Sequence, residues 1–130
     1  MRDYITSNSM RLMEKSMDFL WTKQAAHMDN ISNAETPGYK VKTVTFEEEF
    51  QNKLRMAGRR HMHPDIKKVR EVIEDSKWTV WDDEEDTRMD GNGVNVTEQM
   101  VELVRSAYQL QYTYRAVSSD IVTLRNAITG

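Results

Sequence analysis

Nine residues in the last third of the chain, Met100, Leu103, Ala107, Leu110, Tyr114, Val117, Ile121, Leu124 and Ile128, follow one another at spacings of three and four. Such a seam specifies an α-helix whose apolar stripe stays on one side, the pattern by which helices pack on helices rather than on a sheet. At about 1.5 Å of rise per residue, the stretch 97–129 reaches roughly 50 Å. A compact domain of this size has a diameter of only about twice a radius of gyration of about 14 Å. The helix is therefore expected to lie along partner helices. Its entry is written locally: Asp90-Gly91-Asn92-Gly93 reads as a turn, and Asn95 or Thr97 can cap the first helical turn. Glu98 and Glu102 then suit the positive end of the helix dipole, and Arg125 the negative end.

A second seam runs through Met10, Met13, Met17, Leu20, Gln24, His27 and Ile31, widened by Trp21, Ala25 and Met28. This helix is expected to stop at Asn33-Ala34-Glu35-Thr36-Pro37-Gly38-Tyr39, because the residue before a proline avoids the helical region and Pro-Gly favours a turn with positive φ at the glycine. Between the two seams, a short helix is expected from Phe46 to Met56, closed by Gly58, with a break at His61 to Pro64. Lys67 to Val80 reads as extended structure, its apolar members being Val69, Val72, Ile73, Trp78 and Val80. The five consecutive acids Asp82 to Asp86 read as a solvated loop. The expected fold is mainly α: long terminal helices packed as a coiled-coil-like pair, with a short helix and an irregular, β-containing middle. Its three parts are 1–36, 37–95 and 96–130.

Only 38% of the 130 residues are hydrophobic and the mean hydropathy is −0.74, which leaves little for a large self-contained core. Much of the burial is expected to be intermolecular. Isolated helices in water are marginal and ordering each residue costs about 1 to 2 kcal/mol, so both terminal helices are expected to be largely unfolded or fraying in the monomer and to fold on assembly. The net charge of −3 conceals two blocks of opposite sign. Lys53 to Arg70 holds seven basic residues and one acidic, and Glu71 to Asp90 nine acidic and two basic. Such blocks pair with each other or with a neighbouring copy, and the basic one lacks any aromatic residue on which a base could stack, so no nucleic-acid partner is expected. There is no cysteine, hence no disulfide, thiol nucleophile or cysteine-type zinc site. The first residues, Met1-Arg2-Asp3-Tyr4-Ile5-Thr6-Ser7-Asn8, hold no apolar signal region, and no stretch approaches the roughly eighteen apolar residues of a membrane span. Any route out of the cytoplasm is expected to need no cleaved signal, and no direct membrane insertion is expected.

Catalytic chemistry has little to build on. His61, His63 and Asp65 lie close together, but the intervening Met62 and Pro64 in a basic, glycine-flanked stretch make an exposed turn rather than a metal cage. His27 sits on a helical seam, where a histidine hydrogen-bonded to a neighbour is the ordinary case. A calcium loop beginning at Asp86 would put Arg88 at its third ligand position and Thr97 at its twelfth. No nucleophile elbow, phosphate-binding glycine loop or dinucleotide fingerprint occurs. No catalytic residue, metal or cofactor is expected.

One run is more specific than periodicity. Asn30-Ile31-Ser32-Asn33-Ala34-Glu35-Thr36-Pro37-Gly38-Tyr39-Lys40 resembles the N-terminal signature of bacterial flagellar rod and hook proteins, in which a long helix ends in an Asn-rich run closed by Thr-Pro-Gly-Tyr. The stretch Val44 to Phe50, the turn at Asp90 to Asn95 and a C-terminal helix entered through Glu98-Gln99-Met100 and ending Ala127-Ile128-Thr129-Gly130 are similar to small members of that family that form the proximal rod. The resemblance lies in the two ends of the chain; the middle adds little. Ser32, Gln99, Ser106 and Leu110 depart from the family pattern, where a small alanine, a glutamate, an asparagine and a tyrosine are usual. None of them breaks a helix.

The resemblance implies a structural, non-enzymatic subunit of the flagellar basal body, part of the proximal rod that passes torque from rotor to hook in the periplasm. It implies as partners other copies of the chain, other rod proteins, the adaptor between rod and rotor ring, and the flagellar type III export apparatus. The family signature falls on Asn30, Asn33, Thr36, Pro37, Gly38 and Tyr39. The subunit-packing seam would comprise Met10, Met13, Met17, Leu20 and Ile31 with the nine C-terminal positions. Phe46 and Phe50 are similar to the motif that engages the export gate, although an i, i+4 apolar contact on a short helix is an equally good account of the pair. Three other readings stay open: a companion proximal-rod protein of the same family, a soluble coiled-coil adaptor or export chaperone, and a small metal hydrolase centred on His61 and His63.

Overall fold

The computed structural model describes residues 7–46, 66–83 and 93–130. Five elements follow in order: α1 (Asn8–Ser32), β1 (Val41–Phe46), α2 (Ile66–Asp75), β2 (Trp78–Asp83) and α3 (Val96–Thr129). The chain is mainly helical, with α1 and α3 packed against each other and the short helix and a two-stranded antiparallel sheet supplied by the middle of the sequence.

Both long helices begin as their sequences require. The Ser7 hydroxyl accepts from the Met10 amide at 3.1 Å, and the Asn95 side chain accepts from the Glu98 amide at 3.3 Å, each satisfying a donor that has no partner inside the helix. Asn95, not Thr97, is the cap of α3. At the far end of α1 the Asn33 side chain folds back to donate to the Asp29 carbonyl at 2.8 Å. The chain then reverses through Thr36-Pro37-Gly38-Tyr39, where the Tyr39 amide donates to the Thr36 carbonyl at 3.3 Å and Gly38 takes φ +69°. Proline second and glycine third with positive φ is the geometry of a type II turn, and only the third position demands glycine.

The turn delivers β1 to its partner in an antiparallel register running from Val41 opposite Asp83 to Phe46 opposite Trp78. Val44 is buried, and Phe46 meets Phe19 of α1 with ring centroids 5.0 Å apart. On the neighbouring face of α1 lies α2, with Ile73 almost wholly buried. Four polar contacts fix it: Asn8 of α1 donates to the Ile66 carbonyl at 3.0 Å and accepts from Arg70 at 3.2 Å, and Lys15 reaches the carbonyls of Glu74 and Ser76 at 3.3 and 3.4 Å. A lysine on the last carbonyls of a helix satisfies acceptors that the helix itself leaves open.

The middle corrects the sequence reading. Lys67 to Val80 was expected to be extended, yet its first part is helical: Val69, Val72 and Ile73 stand at i, i+3 and i+4, which puts them on one helical face, whereas a strand would alternate them. Only Trp78 and Val80 belong to a strand. Asp82 and Asp83, expected in a solvated loop, continue that strand because they pair with Lys42 and Val41. Phe46 ends β1 rather than opening a helix. The remainder of the expected short helix, with His61, His63 and Asp65, Glu84 to Asp86, and the turn at Asp90 to Asn92, lies outside the described residues.

Candidate functional site

The signature run builds a buried polar joint between three elements. Asn30, near the end of α1, is 0% exposed. Its side-chain oxygen accepts from the Lys42 amide at 2.9 Å and from the Tyr39 hydroxyl at 3.2 Å; its nitrogen donates to the Lys42 carbonyl at 2.8 Å and to Gln99 Oε1 at 3.0 Å. The two bonds to Lys42 are those that a neighbouring strand would make with one residue. One primary amide thus stands in for a missing strand, ties β1 to α1, and uses its remaining capacity to hold Tyr39 and α3. All four of its hydrogen-bonding positions are filled, the condition under which a buried polar group is tolerated.

Gln99 is the shared acceptor. Besides Asn30, it receives His27 Nδ1 at 2.6 Å. That contact makes Nδ1 the donor and leaves His27 Nε2 buried without a partner among the described residues. One turn along, Lys23 donates to Glu102 at 3.2 Å. The Lys23 hydrogen bond is the largest influence holding the Glu102 carboxyl below its usual range, with its charge and that of Arg105 acting in the same direction against partial burial. At the rim, Lys42 Nζ pairs with Asp29 at 2.9 Å, which raises the lysine above its ordinary value. Burial is the main cause pushing the Tyr39 hydroxyl up, which keeps it a donor to Asn30.

Away from the joint, α3 divides into two rows. Toward α1, its principal neighbour, it turns Gln99 and Ser106, both buried, and Leu103, Leu110, Thr113, Val117, Asp120 and Leu124, all half-buried. Beside that face runs a second row, Met100, Ala107, Tyr114, Ile121 and Ile128, one residue every seven, all exposed, with Ile128 reaching 81%. The nine apolar seam positions are therefore shared: Leu103, Leu110, Val117 and Leu124 are partly covered within the chain, and the other five are open. In α1, Leu20 and His27 are buried and Met10, Met13, Met17, Gln24 and Ile31 half-buried, while Trp21 and Met28 are exposed.

Of the signature residues, Asn30, Asn33, Thr36 and Tyr39 hydrogen-bond to one another, to Asp29 or to β1, and Pro37 and Gly38 shape the turn. Phe46 is half-buried against Phe19; Phe50 lies outside the described residues. The reading from sequence missed Gln99 and Lys42 as members of the joint. A signal existed for Gln99, which with Ser106, Thr113 and Asp120 forms a polar row at intervals of seven on the covered face. Among the described residues no three potential ligands gather to hold a metal ion, and no helix is long and apolar enough to cross a membrane.

Asn30→Asp keeps both acceptors but faces the Lys42 carbonyl and Gln99 oxygen with a carboxylate, and is expected to lower stability by about 2 to 4 kcal/mol in urea unfolding, against about 1 kcal/mol for Tyr39→Phe. A carboxyl held low in the folded chain contributes stability that is complete above its unfolded pKa and lost as pH falls through the folded value. Stability is accordingly expected to fall in acid through the Lys23–Glu102 pair, and Lys23→Met should flatten that part of a pH series.

No family model matches the chain. It is similar from end to end to the flagellar basal body rod protein FlgB of Bacillus subtilis (strain 168), with 24% identity over 128 residues that cover 95% of each chain, so the likeness takes in the middle of the sequence as well as its ends.

Proposed function

We propose that this chain is a structural subunit of the proximal rod of a bacterial flagellar basal body, where it passes torque from rotor to hook. The observation that carries the reading is the open apolar row on α3, which runs the length of a helix of about 50 Å. Covering Met100, Tyr114, Ile121 and Ile128 would contribute roughly 5 to 10 kcal/mol before the costs of association. A chain that acts alone has no use for such a row, and a subunit that lies among parallel helices does. The end-to-end similarity to a flagellar basal body rod protein supports the same reading.

The partners are other copies of the chain and other rod proteins, together with the adaptor that joins rod to rotor ring. The chain is exported by the flagellar type III apparatus and takes its place in the periplasmic rod. It has no catalytic role and no cofactor. Its working parts are the helix pair 1–36 and 96–130, with 37–95 as an appended middle. Torque is transmitted by shear between packed helices, and the joint at Asn30 resists it by fixing the exit of the chain from α1. Phe46, with Phe50, engages the export gate before folding, and in the folded chain its ring is taken up by Phe19.

Two measurements test this. Mass spectrometry of detergent-washed basal bodies, stripped of hook and filament, is expected to retain the tagged chain at a few copies per particle; its absence there, with the chain found in a small soluble complex, would favour an adaptor or chaperone instead. Phe46→Ala is expected to stall secretion at unchanged expression, and normal secretion would remove the export role.

A further inference from the structure

The helix pair carries two further features on opposite sides. On the side where β1 packs, Phe19, Leu20 and Phe46 floor an open groove of about 690 Å³ whose rim includes Tyr108, Tyr112 and Arg115 of α3. The two tyrosines are 70% and 78% exposed. Its volume is in the range of about 300 to 1,000 Å³ typical of built concavities, and tyrosine and arginine are the residues enriched where one protein anchors on another. On the other side stand Trp21, 60% exposed, with Ala25 one turn on and Asp18 one turn back. Phe19 and Trp21 are two residues apart, hence about 200° around α1, so the groove and the tryptophan face away from each other. Neither Arg115 nor Asp18 has an ion-pair partner among the described residues.

We infer that the groove receives α1 of a second copy of this chain, with Trp21 seated against Tyr112 and Asp18 paired with Arg115. The two surfaces match in order and spacing. Asp18, Trp21 and Ala25 follow at steps of three and four; Arg115, Tyr112 and Tyr108, taken in reverse, follow at the same steps. Acid meets base, one aromatic meets another, and the small Ala25 falls opposite the bulk of Tyr108. The reversed order makes the incoming α1 antiparallel to α3 and therefore parallel to the α1 already there. Every copy then points the same way.

A contact between two different surfaces on opposite sides does not close on itself as a twofold dimer does, and it propagates into a ring or a helical array. The inference rests on the proposed rod function and adds the pair of faces through which neighbouring copies meet.

The chain has no cysteine, so paired single substitutions give an unambiguous readout. Cells that build flagella would co-express D18C and R115C chains, and oxidised basal bodies would be scored for disulfide-linked dimers. The expected result is a D18C–R115C product at least about tenfold above D18C–D18C or R115C–R115C, with loss of assembly in Asp18→Arg rescued by Arg115→Asp. Retention of both chains in basal bodies with no preferred mixed product would overturn the inference and leave the rod reading standing, as would failure of Arg115→Asp to rescue Asp18→Arg; some other segment would then fill the groove. Absence of both the chains and the product from basal bodies, with the unsubstituted chain absent too, would overturn the rod reading and this inference with it.

Discussion

The buried amide of Asn30 is the constraint on which the arrangement of the other elements depends. A helix as long as α1 and a strand that turns away from it have no backbone hydrogen bonds in common, so something else must fix the angle between them. Asn30 does so by giving Lys42 both bonds of a strand neighbour, while its second donor position reaches across to Gln99 of α3. Because the group is fully buried, any movement that broke one of these bonds would leave a polar atom without water, at about 1 to 3 kcal/mol. The type II turn supplies the geometry: Pro37 and Gly38 bring Tyr39 and Lys42 back over the end of the helix. The turn and the amide are two halves of one device.

From that joint the division of α3 follows. Its first turns are held by Gln99 and by the Lys23–Glu102 pair, so the row Gln99, Ser106, Thr113 and Asp120 is turned inward even though it is polar. The apolar row that begins at Met100 is thereby rotated outward. Polar contacts within the chain thus leave an apolar row open beside the covered leucines, the kind of surface on which other molecules pack.

Much of this was legible in the sequence, and the limits of legibility have physical causes. The ends of α1, the turn at Thr36 to Tyr39 and the cap at Asn95 are local chemistry, set by residues within a few positions of one another. The helical seams were legible as periodicity, but periodicity ranks positions by hydrophobicity and cannot tell which of two adjacent rows is covered. The strand pairing joins residues more than thirty positions apart, and β2 carries exposed Val80 and Trp81 with no clean alternation to betray it. The helix at Ile66 to Asp75 was misread because its valines favour strands by composition while their spacing is helical. Gln99 looked like a departure from the family pattern; in the structure its oxygen accepts two hydrogen bonds, a task that a carboxylate at the same position would also perform.

The central claim is that one amide couples the strand to both helices. Amide hydrogen exchange of the full chain, compared with the same chain carrying Asn30→Leu, tests it most directly. If the claim holds, protection falls together at Lys42 and along the first turns of α3, 96–106, while α2 keeps its own. Loss confined to the strand, with α3 unaffected, would contradict it.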